Sequence, residues 1–365
     1  MRQKSKASRW REPIRPWFSN DSDGRVRKWG LAHPCRNGEA KLGSVGETIM
    51  SLDPVVGFFI LGLFAGLLRS DLKLSGGLSD TLSIYLLIGI GLKGGIELAN
   101  ATVGQLLLPI GVAVLMSAGT PLLAFPILRR FGRLARPDAA SIAAHYGSVS
   151  VVTFAVGASY LAREGIDYEG YMSVFLVFLE FPALIIGVLL AKGISRETQW
   201  RLLAQEVLAG KAIVLLVGAL LIGWMWGAEG NSSLTKFYGD MFKGFLSLFL
   251  LGMGVLTASR VDDLRRAGPF LVGFGIVLPV VSAAGGVAIG WLMGLSLGGA
   301  TLLAVLYASA SYIAAPAAMR IAIPEANPAL SLGASLGVTF PFNVLVGIPL
   351  YHEMVKWTYR ILGNS

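Results

Sequence analysis

Residues 138–161 read DAASIAAHYGSVSVVTFAVGASYL, and residues 299–322 read GATLLAVLYASASYIAAPAAMRIA. Both are apolar runs of spanning length with small hydroxyl residues at the centre, where a helix in lipid is normally uniformly apolar. Tyr146, Gly147, Ser148, Val149 and Ser150 fall on Tyr307, Ala308, Ser309, Ala310 and Ser311 at an offset of 161 residues. Farther on, Glu180, Phe181, Pro182 and Ala183 line up with Thr339 or Phe340, then Pro341, Phe342 and Asn343, at an offset of 159. Two apolar halves, each with a serine-rich interruption, are the pattern of a secondary transporter.

The composition agrees with a bilayer setting. Hydrophobic residues make up 54% of the 365 and charged residues 15%, with a mean hydropathy of +0.64, too apolar for a soluble domain of this length. Ten spans are expected, at 52–68, 80–98, 104–128, 138–161, 168–192, 207–228, 241–259, 268–294, 298–321 and 329–355. Segments of about 17 to 27 residues are too long for barrel strands, which leaves helices. If span four corresponds to nine and five to ten, the halves are offset by five helices, and an odd offset inverts the second half. The expected fold is therefore an all-α integral membrane protein of ten transmembrane helices, two inverted five-helix repeats with helices four and nine interrupted. The first repeat is set at 50–192, a short cytoplasmic linker at 193–206, and the second repeat at 207–365.

Lys and Arg in short loops set orientation. With the start of span one outside, the inner side holds 14 of them and the outer side 6. Residues 1–49 oppose that assignment, because their 11 Lys and Arg against 5 Asp and Glu form a basic tail that resists translocation. The tail lacks the apolar core of a signal peptide and is rich in Pro, Ser and Arg, so it is expected to be disordered. A natural start at Met50 would remove the conflict. Cys35, in this tail, is the sole cysteine, which excludes disulfides and cysteine-based metal sites. No phosphate-cradling glycine loop and no paired histidines at metal spacing occur, and nucleic acid is not an expected partner.

The residues that could carry chemistry lie at mid-span. Gly147-Ser148-Val149-Ser150 and Ser309-Ala310-Ser311-Tyr312, the latter followed by Pro316, combine helix breakers with hydroxyls. An interrupted helix presents unpaired N–H groups and a positive half-helix dipole, a site for a small anion. The plainer reading is close packing of small residues between helices, and the repetition at equivalent places favours binding. Glu180 is the one carboxylate well inside a span, so cation coupling or proton relay is its default role, with a structural ion pair as the alternative. Asn343, beside Pro341, could lend a carbonyl oxygen to sodium. His145 could shuttle protons, although a lone histidine is more often packing. Lys93 and Glu97 stand i, i+4 near the end of span two. The glycines around them, Gly89, Gly91, Gly94 and Gly95, and Gly252 and Gly254 at the matching place in the second half read as close helix contacts in a gating or scaffold domain. Arg129, Arg130, Arg133 and Arg136 read as an anchor on anionic lipid.

Together these features resemble the sodium-dependent bicarbonate transporter family of cyanobacteria and other bacteria. The likeness is carried by the serine-rich fourth and ninth spans, Ile-Pro-Glu-Ala-Asn-Pro at 323–328, Leu-Gly-Ala-Ser at 332–335 and Gly-Ile-Pro-Leu at 347–350, and runs from about Pro54 to Leu362. The resemblance implies a gate domain of spans one, two, six and seven and a core of the rest, in a homotrimer of the bacterial inner membrane. It implies sodium-coupled import of bicarbonate, with no other cofactor. Its substrate site maps onto Gly147, Ser148, Val149, Ser150, Ser309, Ala310 and Ser311, and its acidic residue before the span-five proline onto Glu180. Members are inhibited by a small PII-like protein docking on the cytoplasmic face. Where the cyanobacterial pattern runs three serines, an aspartate and a double proline, this chain has Ser309-Ala310-Ser311-Tyr312 and only Pro316. That change bears on sodium coupling, so Tyr312 joins Glu180 and Asn343 as a candidate coupling residue. The 193–206 linker is also short beside the cyanobacterial form. The nearest rival reading is a sodium- or proton-coupled organic-anion symporter of a related inverted-repeat fold, which should need a larger pocket. A membrane enzyme using His145 and Glu180, or a non-transporting anion sensor, are weaker rivals.

Overall fold

The computed structural model describes residues 53–363 except 73, 100–102 and 194–199, so the basic tail and part of the linker lie outside the described residues. Described residues are helical, with no strand among them. The first half contains α1 (Pro54–Leu67), α2 (Gly76–Leu98), α3 (Val103–Arg130), α4 (Arg136–Gly147), α5 (Val151–Glu164), α6 (Met172–Phe178) and α7 (Glu180–Lys192). The second contains α8 (Trp200–Leu208), α9 (Lys211–Gly230), α10 (Ser232–Asp240), α11 (Phe242–Ser259), α12 (Val261–Leu292), α13 (Leu297–Tyr307), α14 (Ala314–Ala322), α15 (Pro328–Ala334) and α16 (Ile348–Leu362).

Eight stretches are long and apolar enough to cross a membrane, and α1 and α13 are apolar but shorter, at 14 and 11 residues. The chain is thus a multi-pass membrane protein. Helical elements occupy all ten expected stretches, yet at about 1.5 Å per residue α1 and α13 do not alone reach across a hydrocarbon core of about 30 Å. Two elements differ from the expected loops: α8 occupies part of the 193–206 linker and α10 fills the stretch before α11. Both have nine residues, too short to register as spans.

Local chemistry accounts for the ends. Asp53 caps α1, its Oδ1 accepting from Val55 N at 3.0 Å with Pro54 at the first helical position. Ser75, Ser296 and Asn327 cap α2, α13 and α15 in the same way. Between α15 and α16 the helix widens into two π turns, Ser335–Thr339 and Asn343–Gly347, around Pro341. Proline removes an N–H from the usual ladder, and a wider turn re-pairs the backbone around it.

The packing has a recurring plan. α2 pairs with α9, and α1 with α11. In the first pair a Cβ on Gly95 or Gly223 would collide with the backbone of Leu220 or Leu92; in the second, one on Gly62 or Gly254 would collide with that of Leu251 or Phe59. Small residues permit this close approach where no hydrophobic force drives helices together. Each pair runs parallel, and Lys211 Nζ meets Asp80 Oδ1 at 2.6 Å at the start of the first. α3, α4 and α7 pack mutually, as do α12, α13 and α16. Acidic side chains tie the two halves of the chain together: Asp138 on α4 accepts from Asn327 N at 2.7 Å, and Glu169 before α6 accepts from Ser296 N at 2.6 Å.

Candidate functional site

α4 stops at Gly147 and α5 starts at Val151, whereas α13 stops at Tyr307 and α14 starts at Ala314. Gly147 allows the first stop by close approach: a Cβ there would sit 2.6 Å from both Pro121 of α3 and Ala183 of α7. Pro316 falls in the first turn of α14, where its missing N–H costs no helical bond. The sequence placed it at the interruption; it opens the helix that follows.

The two interruptions are stitched to each other. Ser150 N donates to Ser309 Oγ at 2.9 Å, and Ser311 N donates to the carbonyl of His145 at 2.9 Å. Ser309 Oγ donates onward to Leu306 O at 2.7 Å. One N–H from each interruption is therefore met by a residue of the other half, at a depth where lipid offers no partner. The caps use hydroxyls as well: Ser150 Oγ accepts from Thr153 N and Ser311 Oγ from Ala315 N, each at 3.2 Å.

Glu180 joins both interruptions. Its Oε1 accepts from Ser148 Oγ at 3.2 Å and Ser311 Oγ at 3.4 Å, and the residue is 3% exposed. No Lys or Arg forms an ion pair with it among the described residues. A buried carboxylate held only by hydroxyls needs a proton or a cation to neutralise it. Its oxygens and those of Ser148 and Ser311 form a hard donor set that fits sodium or a proton.

The site opens into a cavity of about 230 Å3 whose wall includes Val149, Ser150, Glu180, Ser311, Tyr312 and Phe249. Ser83 of α2 and Lys211 of α9 line it too, so it lies between the paired helices and the interrupted ones. Of the seven residues expected to bind substrate, Val149, Ser150 and Ser311 line this cavity. Gly147, Ser148, Ser309 and Ala310 are buried behind it. Tyr312 packs edge-on against Phe340 at 5.1 Å, and its hydroxyl has no well-formed hydrogen bond among the described residues, with Ser150 beside it.

Asn343 sits apart from the cavity. Its Nδ2 donates to Ala308 O at 2.8 Å while its Oδ1 accepts from Tyr351 at 2.7 Å, so it fixes the end of α13. Ser117 of α3 has the same part in the first half, its Oγ lying 2.8 Å from Gly147 O and 2.7 Å from Leu179 O. His145 is fully buried with Nδ1 on Ser141 O, and its Nε2 has no partner among the described residues.

A family model described as the Na+-dependent bicarbonate transporter superfamily matches residues 54–356. The chain belongs to that superfamily. It is a membrane transporter and not an enzyme. No curated protein sequence gives a significant match.

Sequence reasoning missed Ser117, Ser83, Phe249 and the mouth residues Glu206 and Lys211 of this transporter. A serine within the apolar third span was the available signal for Ser117. It is a weak one, because a helical serine is readily satisfied by its own previous turn.

Proposed function

We propose that this transporter imports bicarbonate or a similar small oxyanion, coupled to sodium, by alternating access between a gate and a core. The observation that carries the reading is that two broken helices and one buried carboxylate, without a basic partner among the described residues, converge on one cavity wall. The half-helix N-termini of α5 and α14, with the Ser150 and Ser311 hydroxyls, supply donors without a fixed positive charge, so a weakly basic oxyanion binds and still leaves. Glu180 carries the coupling: sodium, or a proton, neutralises it and frees the hydroxyls of Ser148 and Ser311 to turn toward the anion. Tyr312 closes the far wall and Asn343 positions the second interruption.

The architecture in this reading is ten spans in two inverted repeats, 50–192 and 207–365, joined through 193–206. The gate is α1, α2, α9 and α11 and the core is the remainder. Support comes from the matched packing of the two halves. Gly57, Gly62 and Gly66 recur as Gly218, Gly223 and Gly227 at an offset of 161. The Tyr307 hydroxyl donates to Ala113 O, while that of Tyr146 reaches Gly275 O through Thr339, and the two carbonyls are offset by 162. A homotrimer in the bacterial inner membrane, with a PII-like regulator on its cytoplasmic face, completes the reading.

A cavity of about 230 Å3 with an aromatic wall suits an anion of four heavy atoms better than the bulky cargo of an organic-anion symporter. The test is uptake of radiolabelled bicarbonate by proteoliposomes with and without an inward sodium gradient, against sulfate and acetate. Sodium-driven bicarbonate uptake is expected. Bicarbonate flux indifferent to sodium would remove sodium coupling, and absence of bicarbonate flux would overturn the substrate.

A further inference from the structure

We propose that the transporter has a second anion station, a cavity of about 430 Å3 in which Lys93 and Lys243 hold a hydrated oxyanion at the opposite end of the path from Lys211. This rests on the reading that the cargo is a small anion.

The two cavities lie in series along one seam. The smaller one is lined by the first part of α2 (Ser83, Leu87) and of α5 (Val151, Ala155). The larger is lined by the last part of both, from Gly89 to Glu97 and from Phe154 to Ala162. Ile90 and Phe154, each at most 6% exposed, lie on the larger cavity's wall where the two meet. They form an apolar plug between the stations.

Charge and size distinguish the ends. The smaller cavity is lined by two carboxylates, Glu180 and Glu206, against the single ammonium of Lys211, whereas the larger carries two ammonium groups against the single carboxylate of Glu97. Neither ammonium has a carboxylate within 4.0 Å among the described residues. Lys93 is instead held by Tyr168, with Nζ 3.2 Å from the phenol oxygen and 4.8 Å from the ring centroid. Lys93 and Glu97, spaced i, i+4, do not meet at salt-bridge distance. A lysine within a spanning helix that lines a cavity marks an ion path, and basic side chains select anions there. Water occupies about 30 Å3 per molecule in the liquid, so the larger cavity, with nearly twice the volume of the smaller, admits an oxyanion with several more waters. In the orientation favoured by the Lys and Arg distribution, the larger cavity faces outward, and Lys93 and Lys243 concentrate the anion before it passes the plug.

The test reads the local field directly. In full-length protein with Cys35 replaced by Ala, Ala162→Cys places one thiol on the wall of the larger cavity. Its modification rates by anionic sulfonatoethyl and cationic trimethylammonioethyl methanethiosulfonate are compared, with and without millimolar bicarbonate. The anionic reagent is expected to react faster and bicarbonate to slow it. Adding Lys93→Gln and Lys243→Gln should reduce the anionic-to-cationic rate ratio by about tenfold or more. Arg163, beside the thiol, is common to both proteins. Should the double variant fail to insert, the ratio in the lysine-containing protein is measured at about 1 M salt, where screening within about 3 Å should collapse it. A ratio untouched by lysine removal or by salt, with no protection by bicarbonate, would overturn the station even if proteoliposomes transport bicarbonate. Protection and a lysine-dependent ratio without any bicarbonate flux would leave the station standing and remove the transport reading.

Discussion

Glu180 and Thr339 stand 159 residues apart at equivalent places before a proline in the two halves, and their surroundings differ in one respect. Thr339 is neutral and closed: its hydroxyl donates to Gly275 O and accepts from Tyr146, both at 2.7 Å. Glu180 is a carboxylate with two serine hydroxyls and no basic partner among the described residues. A neutral chain of hydrogen bonds is complete by itself, whereas a buried charge requires a mobile counter-charge. The duplicated scaffold thus separates two jobs. One half supplies a fixed anchor and the other an unbalanced group on which an ion can act.

The largest expected effect comes from abolishing the difference. Glu180→Gln keeps the shape and removes a charge-assisted interaction worth about 2–3 kcal/mol, so sodium-stimulated uptake should fall about 30- to 150-fold and the response to the sodium gradient should vanish. Thr339→Val should instead leave the Tyr146 hydroxyl without its acceptor and lower stability by about 1–3 kcal/mol, seen as a reduced Tm in detergent. Sodium dependence should persist in that variant; if it disappeared, the two positions would be alike and the comparison broken. Gly95→Ala and Gly254→Ala, at matching places in the two parallel helix pairs, should each cost about 1–3 kcal/mol by overpacking. Unequal losses in thermal melts would show that the halves share sequence but not packing. The smallest effect belongs to the stitches. Ser309→Ala removes the acceptor of Ser150 N, about 1 kcal/mol, and should raise the half-saturating bicarbonate concentration about fivefold, with Ser148→Ala at or below that since Ser311 still reaches Glu180. A larger effect at Ser148 than at Ser309 would put Ser148 in direct contact with the anion.

Much of this was legible because lipid leaves so little freedom. A hydroxyl or a carboxylate inside an apolar run needs a partner, so residues 147–150, residues 309–311 and Glu180 announced themselves, and family membership over 54–356 agrees with the resemblance read there. Which hydroxyl meets which partner was not legible. The four serines of the two motifs look interchangeable in sequence, yet Ser309 is spent on backbone and Ser148 on Glu180, while Ser150 and Ser311 reach the cavity wall. That division depends on how two distant helices meet. α8 and α10 escaped notice for a different reason: amphipathic helices of nine residues rely on neighbours, α14 for the first and α2 for the second, and carry no signal of spanning length. Asn343 could be read as an ion ligand from its type and place, and only its neighbours Ala308 and Tyr351 reveal a carbonyl already engaged.

The stitch between Ser150 N and Ser309 Oγ also constrains biogenesis. The donor emerges from the ribosome 159 residues before its acceptor. Until residue 309 has been inserted, the first interruption has a bare amide at a depth where lipid provides no substitute. The first half must therefore wait, wet or shielded by the insertion machinery, and the core closes as a late, all-chain event. A split pair of half-length polypeptides should recover the closed core only when both are made in the same membrane.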